Sequence, residues 1–496
     1  DESGHGTHVA GIALYGDVHA SANANYWQPQ LWLLNGRILN ERNEFDVETI
    51  ENTLDKAVRY FVDEYQCKIF NLSIGNVNAP YSGAHVKGIA YVLDMLAREL
   101  DVLFIISTGN FTGNDELEIP DKSWRTEYPS YLLDDVSVII DPAPALNGLT
   151  VGSHALHELS GSAQRYPHDL QDLPVASAEQ PSPFTRHGPS VKKALKPELI
   201  AHGGNYTVNV RNEKQHVANS RGLGVVSLNH QPIGATLLSE SSGTSFAAPY
   251  ISHLAGRLLN EYPDASANLL RALLVNQSVM PDSVEEAFPD DLVQSNKDAK
   301  RLSPHREVAG YGKVEDDILY RSTEQAVALY VDEKIEDNTY HFYELPLPDE
   351  YFQGSQRTRE IRVTLSYMPP VKRTRIEYRG SRMWFRLVKG ESLEQVQKHF
   401  NKADEKGVRS MGDYSNNREV GSETRDRGTV QSDVWRLKRP NKGEKWFVVV
   451  LRNDYAWAEN MCDFEEPYAL VVSVADRENE QAQLYKIGRA SCRERV

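Results

Sequence analysis

Three short segments of this 496-residue chain carry side chains able to act together on an acyl group. In SGTSFAAP, Ser245 follows a Gly-Thr turn at the start of a helical pattern. A serine there gains an exposed hydroxyl, a helix-end dipole that favours developing negative charge, and a backbone N–H free to donate. The small residues Ala247 and Ala248 let that helix pack closely on its neighbours. In the second segment the strand pattern DVLFII runs into STGN and sets Asn110 at a strand's carboxyl end, where ligands gather in open α/β sheets. Its neutral amide is a suitable second donor to an oxyanion. The third, GHGTHVAG, places His5 ahead of small and apolar residues with helical character.

Plainer readings stand beside these. A serine at a helix start is often only an N-cap, but its company with His5 and Asn110 favours chemistry. Asp1, His5 and His8 share one helical face at i+4 and i+3 spacing, a pattern that can hold a metal. The cluster has no further nearby ligands, so no metal is expected and His8 is read as structural. The sequons at Asn71 and Asn110 lie on motif residues, where a glycan would block a cleft.

The elements that must position these residues alternate in type. QLWLLNGRIL (Gln30 to Leu39) reads as a buried strand, and the helical spacing of Ile50, Leu54, Val58, Val62 and Tyr65 predicts a helix capped by Asp46. Strand CKIFNLS, helix AHVKGIAYVLDMLAREL and strand DVLFIIS follow. This order predicts an α/β fold with a parallel sheet. A surface loop is expected over Ser160 to Pro183, then the helical pair TSFAAPYISHLAGRLLNEY and ASANLLRALLVNQS. The first domain is assigned to residues 1–325. Over 333–486, period-two segments such as REIRVTLSYMPP and KWFVVVLRND predict a β-sandwich, with 391–431 as a charged, mobile surface insertion. The segment IGRASCRERV (487–496) reads as translated sequencing adapter and is set aside.

Composition narrows the function. A net charge of -16 argues against nucleic-acid binding, and no apolar run is long enough to span a bilayer. Setting Cys492 aside with the tail leaves Cys67 and Cys462, far apart, and no disulfide framework, which fits a reducing cytoplasm.

In its motifs the chain resembles the subtilisin-like serine peptidases, the subtilases of family S8. HGTHVAG with His5, NLSIGN with Ser73 and Gly75, STGN with Asn110 and GTSFAAP with Ser245 occur in the family's order, joined by FTRHGPSVKKALKPELIAHGG, LRALLVN and GYGKV. The resemblance covers about the first 320 residues. It implies a serine endopeptidase with Ser245 as nucleophile, His5 as general base and Asn110 in the oxyanion hole. It implies that Ser73, Ile74 and Gly75 form one wall of the primary specificity pocket and Ser107, Thr108 and Gly109 the other. Phe111 stands where many members carry a polar residue, so apolar side chains are expected before the scissile bond. The family's orienting aspartate lies upstream of HGTH, and Asp1 does not match it, so the chain is expected to be a fragment that lacks it. In the well-studied triads of this kind, such a loss costs about four orders of magnitude in turnover.

The long insertions and the C-terminal segment starting YHFYELPLPDE are similar to a group of bacterial intracellular subtilases, some encoded beside an AAA-type ATPase. That similarity implies a cytoplasmic peptidase acting on protein or peptide substrates, with an AAA-type ATPase as partner. No cofactor is required, and a structural calcium ion is left open. The rival reading is an inactive subtilase that binds through its C-terminal sandwich.

Overall fold

The computed structural model describes residues 4–24, 27–38, 50–165, 171–233, 236–288, 302–319, 326–352, 357–405, 413–438 and 445–476, with 478, 484 and 494–495. The chain divides into two compact units. The first comprises Asp1–Ala267, Ser278–Val314 and Arg373–Tyr378, and the second Asn268–Gln277, Glu315–Lys372 and Arg379–Val496. The division is not linear: most of the LRALLVN helix and the chain from Glu315 go with the second unit, and residues 373–378 go with the first.

The first unit holds strands β1 (Ile69–Leu72), β2 (Leu103–Ser107), β3 (Leu149–His154), β4 (Leu199–His202), β5 (Val225–Leu228), β6 (Leu238–Ser241), β7 (Ser278–Val279) and β8 (Lys313–Val314). Six of them form one sheet in the order β1-β2-β3-β4-β8-β7, and β5 pairs with β6 as a separate hairpin. The pairs from β1 to β8 are parallel, and the β8–β7 pair is antiparallel. All five residues of β2 are buried, as a continuous apolar run requires in a sheet covered on both faces. Helices α1 (His5–Tyr15), α2 (Ile50–Tyr65), α3 (Gly88–Leu100) and α4 (Thr244–Glu261) belong to this unit. On α3, Ile89, Ala90, Leu93, Leu96 and Ala97 make the buried stripe. On α2 the stripe is Ile50, Leu54 and Val58, while Tyr65 is exposed; its proposed cap Asp46 lies outside the described residues.

One expected strand is absent. Residues 30–38 form no regular element and pair with no strand among the described residues, and Trp32, Leu33 and Leu34 are exposed. Leu31 instead lies against Gly256 of α4. An apolar run supplies side chains for a sheet, but a strand forms only where a neighbouring backbone completes its ladder.

The second unit contains β9 (Ala326–Glu336), β10 (Tyr340–Glu344), β11 (Arg359–Tyr367), β12 (Ser381–Gly390), β13 (Val430–Leu437), β14 (Lys445–Asp454) and β15 (Glu465–Ala475). They form two antiparallel sheets, β9-β15-β11-β13 and β12-β14-β10, the latter extended by Glu494–Arg495. A core cluster draws Ile361, Val363 and Leu365 from one sheet and Phe385, Val448 and Val450 from the other. Strand alternation sends Phe447, Val449 and Leu451 to the opposite face, where they pack with Val396 and Phe400 of the helix Leu393–Glu405. The helix Leu393–Glu405 is thus anchored on the sheet. Arg425, fully buried, bonds Asp413, Asp426 and Asp433 at 2.8, 3.2 and 3.1 Å. Composition alone does not show that such charges are buried and paired.

Candidate active site

Ser245 is the second residue of the 18-residue helix α4 and is half-buried. Pro249 sits inside that helix, four residues on. A proline has no N–H, so the helical bond that would end on the Ser245 carbonyl cannot form. The Ser73 hydroxyl takes the vacant place and donates to that carbonyl at 2.8 Å. In return the Ser245 hydroxyl lies 3.4 Å from the Ser73 carbonyl. Ser73 also receives a bond from the Asn71 amide at 3.0 Å, and Asn71 accepts from Ser252 of α4 at 3.0 Å. The end of β1 is therefore laced to the first three turns of α4.

Asn110 follows β2 and closes on the same helix start. Its Oδ1 accepts from the Thr244 backbone N–H at 2.9 Å and from the Thr244 hydroxyl at 3.0 Å. A backbone N–H can only donate, so these bonds fix which end of the amide is oxygen and leave Nδ2 as its donor end. A methyl added to Gly243 would stand 3.0 Å from Nδ2, so the turn before α4 needs glycine for this approach. The turn is further held by Gly243 N–H donating to Gly203 O at 2.7 Å.

His5 opens α1 after Gly4, whose φ of 75° is left-handed. Its ring centroid lies 5.6 Å from that of Phe246, the residue after Ser245. The residue remains exposed, yet the atoms packed about the ring push its pKa below the ordinary histidine value through loss of water. His8 is placed differently. Its Nε2 donates to Val225 O at 3.0 Å and its Nδ1 faces the Ser239 hydroxyl at 3.3 Å, while Ser227 donates to His8 O at 2.7 Å. It ties α1 to the β5–β6 hairpin, and burial holds its pKa down to about 4. Among the described residues no group of three or more His, Cys, Asp or Glu could hold a metal ion, and Asp1 lies outside them.

The segments Ser73, Ile74, Gly75 and Ser107, Thr108, Gly109 lie at the ends of the neighbouring parallel strands β1 and β2. The first is bonded to Ser245 and the second leads directly into Asn110. Phe111 is buried in an aromatic cluster with Trp124, Tyr131 and Phe184, its N–H bonded to Phe184 O at 2.8 Å. One contributor was not singled out from sequence. Arg186, within the FTRHGPS motif, donates from Nε to Asn110 O at 3.2 Å and from Nη1 to Val136 O and Val138 O at 3.0 and 2.9 Å. Its place in a motif was visible, but its contact with Asn110 depends on the tertiary fold.

The mixed α/β unit thus sets a serine at a helix start and locks an asparagine amide against the residue before it. The chain belongs to the subtilase family: the Peptidase_S8 family model, described as Subtilase family, matches residues 1–312. It is 33% identical over 435 residues to the uncharacterized protein y4bN of Sinorhizobium fredii (strain NBRC 101917 / NGR234), covering 85% of this chain and 95% of that relative. It is 21% identical over 280 residues to the serine protease AprX of Bacillus subtilis (strain 168), covering 56% of this chain and 53% of that protein. Among solved structures, a lanthipeptide protease matches at 18% identity and a TM-score of 0.35, covering 64% of this chain and 75% of its own. Among the described residues no helix is long and apolar enough to cross a membrane.

Proposed function

We propose that this subtilase-family chain is an endopeptidase that cleaves protein or peptide substrates through an acyl-enzyme on Ser245. The Ser245 oxygen attacks the scissile carbonyl carbon and passes its proton to His5. The oxyanion that forms takes hydrogen bonds from Asn110 Nδ2 and the backbone N–H at the start of α4. His5 then returns the proton to the departing amine, and water repeats the sequence on the acyl group to free the enzyme. The lowered pKa of His5 supports this role, because it keeps the imidazole neutral and able to accept a proton near pH 7. The walls Ser73–Gly75 and Ser107–Gly109 hold extended substrate by main-chain pairing.

The observation that carries the reading is the pair of hydrogen bonds from Thr244, the residue before Ser245, to Asn110 Oδ1, which leaves Nδ2 as the amide's donor. The resemblance to a protein named as a serine protease supports it further. The test is hydrolysis of a mixed peptide library by the full chain, by S245A and by H5A. Cleavage lost in both variants and unaffected by chelator supports the reading. Equal products from wild type and S245A contradict it, and loss to chelator would point to a bound metal, the structural calcium included.

We assign the second unit's two sheets to a β-sandwich of residues 333–486, because the core cluster takes side chains from both. The AAA-type partner rests on the subgroup similarity and the cytoplasmic site on that similarity and the cysteine usage, and co-purification with such an ATPase tests the first.

A further inference from the structure

The two walls of the pocket meet over one side chain that the sequence did not single out. A methyl added to Gly75 would come 2.7 Å from Ile140 Cδ1, and one added to Gly109 would come 2.6 Å from the same atom. A single δ-methyl therefore lies against both walls. The residue is 2% exposed and sits in the dipeptide Ile140–Asp141, which pairs antiparallel with Asn76–Pro80, the continuation of Gly75. It is held from several sides. Ile139 N–H donates to His187 O and Ala143 N–H to Ile140 O, both at 2.8 Å. The Asp141 carboxylate accepts from the N–H groups of Ile89 and Ala90 at 3.1 and 2.9 Å, which pins the dipeptide to the start of α3. Beneath it the Arg186 Cδ would stand 3.3 Å from the same Gly109 methyl. A β-branched side chain so enclosed has little freedom to swing aside.

We propose that Ile140 is the specificity-determining residue: its δ-methyl, set between Gly75 and Gly109, limits the residue before the scissile bond to a small side chain, Gly, Ala or Ser. The proposal rests on the peptidase reading above and replaces Phe111, which faces the core, as the source of selectivity. A larger side chain entering between the glycines must displace packed atoms. Since even one methylene in an apolar pocket shifts selectivity by about 10–200-fold, a phenyl group is disfavoured by at least about 100-fold.

Two measurements separate this proposal from the one it rests on. The first is cleavage by the full chain of two fluorogenic peptides that differ only in Ala or Phe before the scissile bond, compared with I140A and with I140V. The valine variant removes only the δ-methyl and guards against misfolding of I140A. Wild type is expected to favour Ala by about 100-fold, and both variants to raise cleavage at Phe at least tenfold. The second is binding of Ala-ended and Phe-ended product peptides to S245A, with and without I140V. Tighter binding of the Ala-ended peptide, reversed or levelled by I140V, supports the proposal even if wild type cleaves neither substrate, in which case the peptidase reading falls. An Ala-to-Phe ratio that I140V leaves unchanged in either measurement overturns it.

Discussion

The hydroxyl of Ser73 donates to the carbonyl of Ser245 at 2.8 Å, in the place where a helical N–H would stand if residue 249 were not proline. The proline, a flaw in α4 by helix propensity alone, releases an acceptor that joins the helix to the segment after β1. Removing one partner leaves that carbonyl unsatisfied, at a cost of about 1–3 kcal/mol. S73A is therefore expected to lower the urea midpoint and P249A to supply an N–H in compensation. The double variant S73A/P249A should lose less stability than the two single losses summed. Strict additivity in a double-mutant cycle would refute the link.

Asn110 is expected to act on the transition state more than on binding. N110A should lower kcat by about 10²–10³ while changing KM little, the pattern of a lost oxyanion donor. Steady-state kinetics on one peptide decide it: an increase in KM with kcat preserved would place Asn110 in substrate binding instead.

Acid should destabilise the first unit through its buried histidines. Burial holds His8 and His154 at about 4 and His202 at about 3, against about 6.5 in an unfolded chain. The unfolded state thus binds protons that the folded state refuses. Stability from these groups is complete above pH 6.5 and is lost as pH falls toward 4 and 3, at no more than about 1.4 kcal/mol per pH unit for each. H202Q should reduce that slope. Urea midpoints at pH 7, 6 and 5 that fall in parallel for wild type and H202Q would show that His202 does not take part.

In the second unit, Arg425 offsets three carboxylates and lies 3.9 Å over the Phe385 ring. R425M takes from Asp433 its ion-pair partner and leaves Asp413 and Asp426 to Arg418 and Arg386, and about 3–5 kcal/mol of stability should go with the guanidinium. Chemical denaturation monitored by tryptophan emission, in which Trp435 and Trp446 are buried reporters, measures it. A loss under about 1 kcal/mol would mean that the cluster is solvated and weak.

The sequence made some of this legible and hid the rest for identifiable reasons. The run VLFIIS declares a strand buried on both faces, and the structure places β2 inside the sheet. The GTSFAAP segment declares a helix start, and α4 begins at Thr244. QLWLLNGRIL is equally apolar, yet its described residues pair with no strand, because hydrophobicity does not specify a partner. The Glu391–Gln431 stretch reads as a solvated arm since burial of Arg425 depends on carboxylates from both sides of the turn. Ile140 and Arg186 were silent because each acts through contacts made across the fold, with Gly75, Gly109 and the Asn110 carbonyl.

Whether Ser245 is an activated nucleophile is decided most directly by treating the folded full chain with a biotinylated fluorophosphonate and mapping the adduct by mass spectrometry, beside S245A and a urea-unfolded control. One phosphonylated residue, Ser245, is expected, labelled in the folded chain and in neither control. Absence of label on Ser245, or equal labelling after unfolding, would contradict its role as nucleophile.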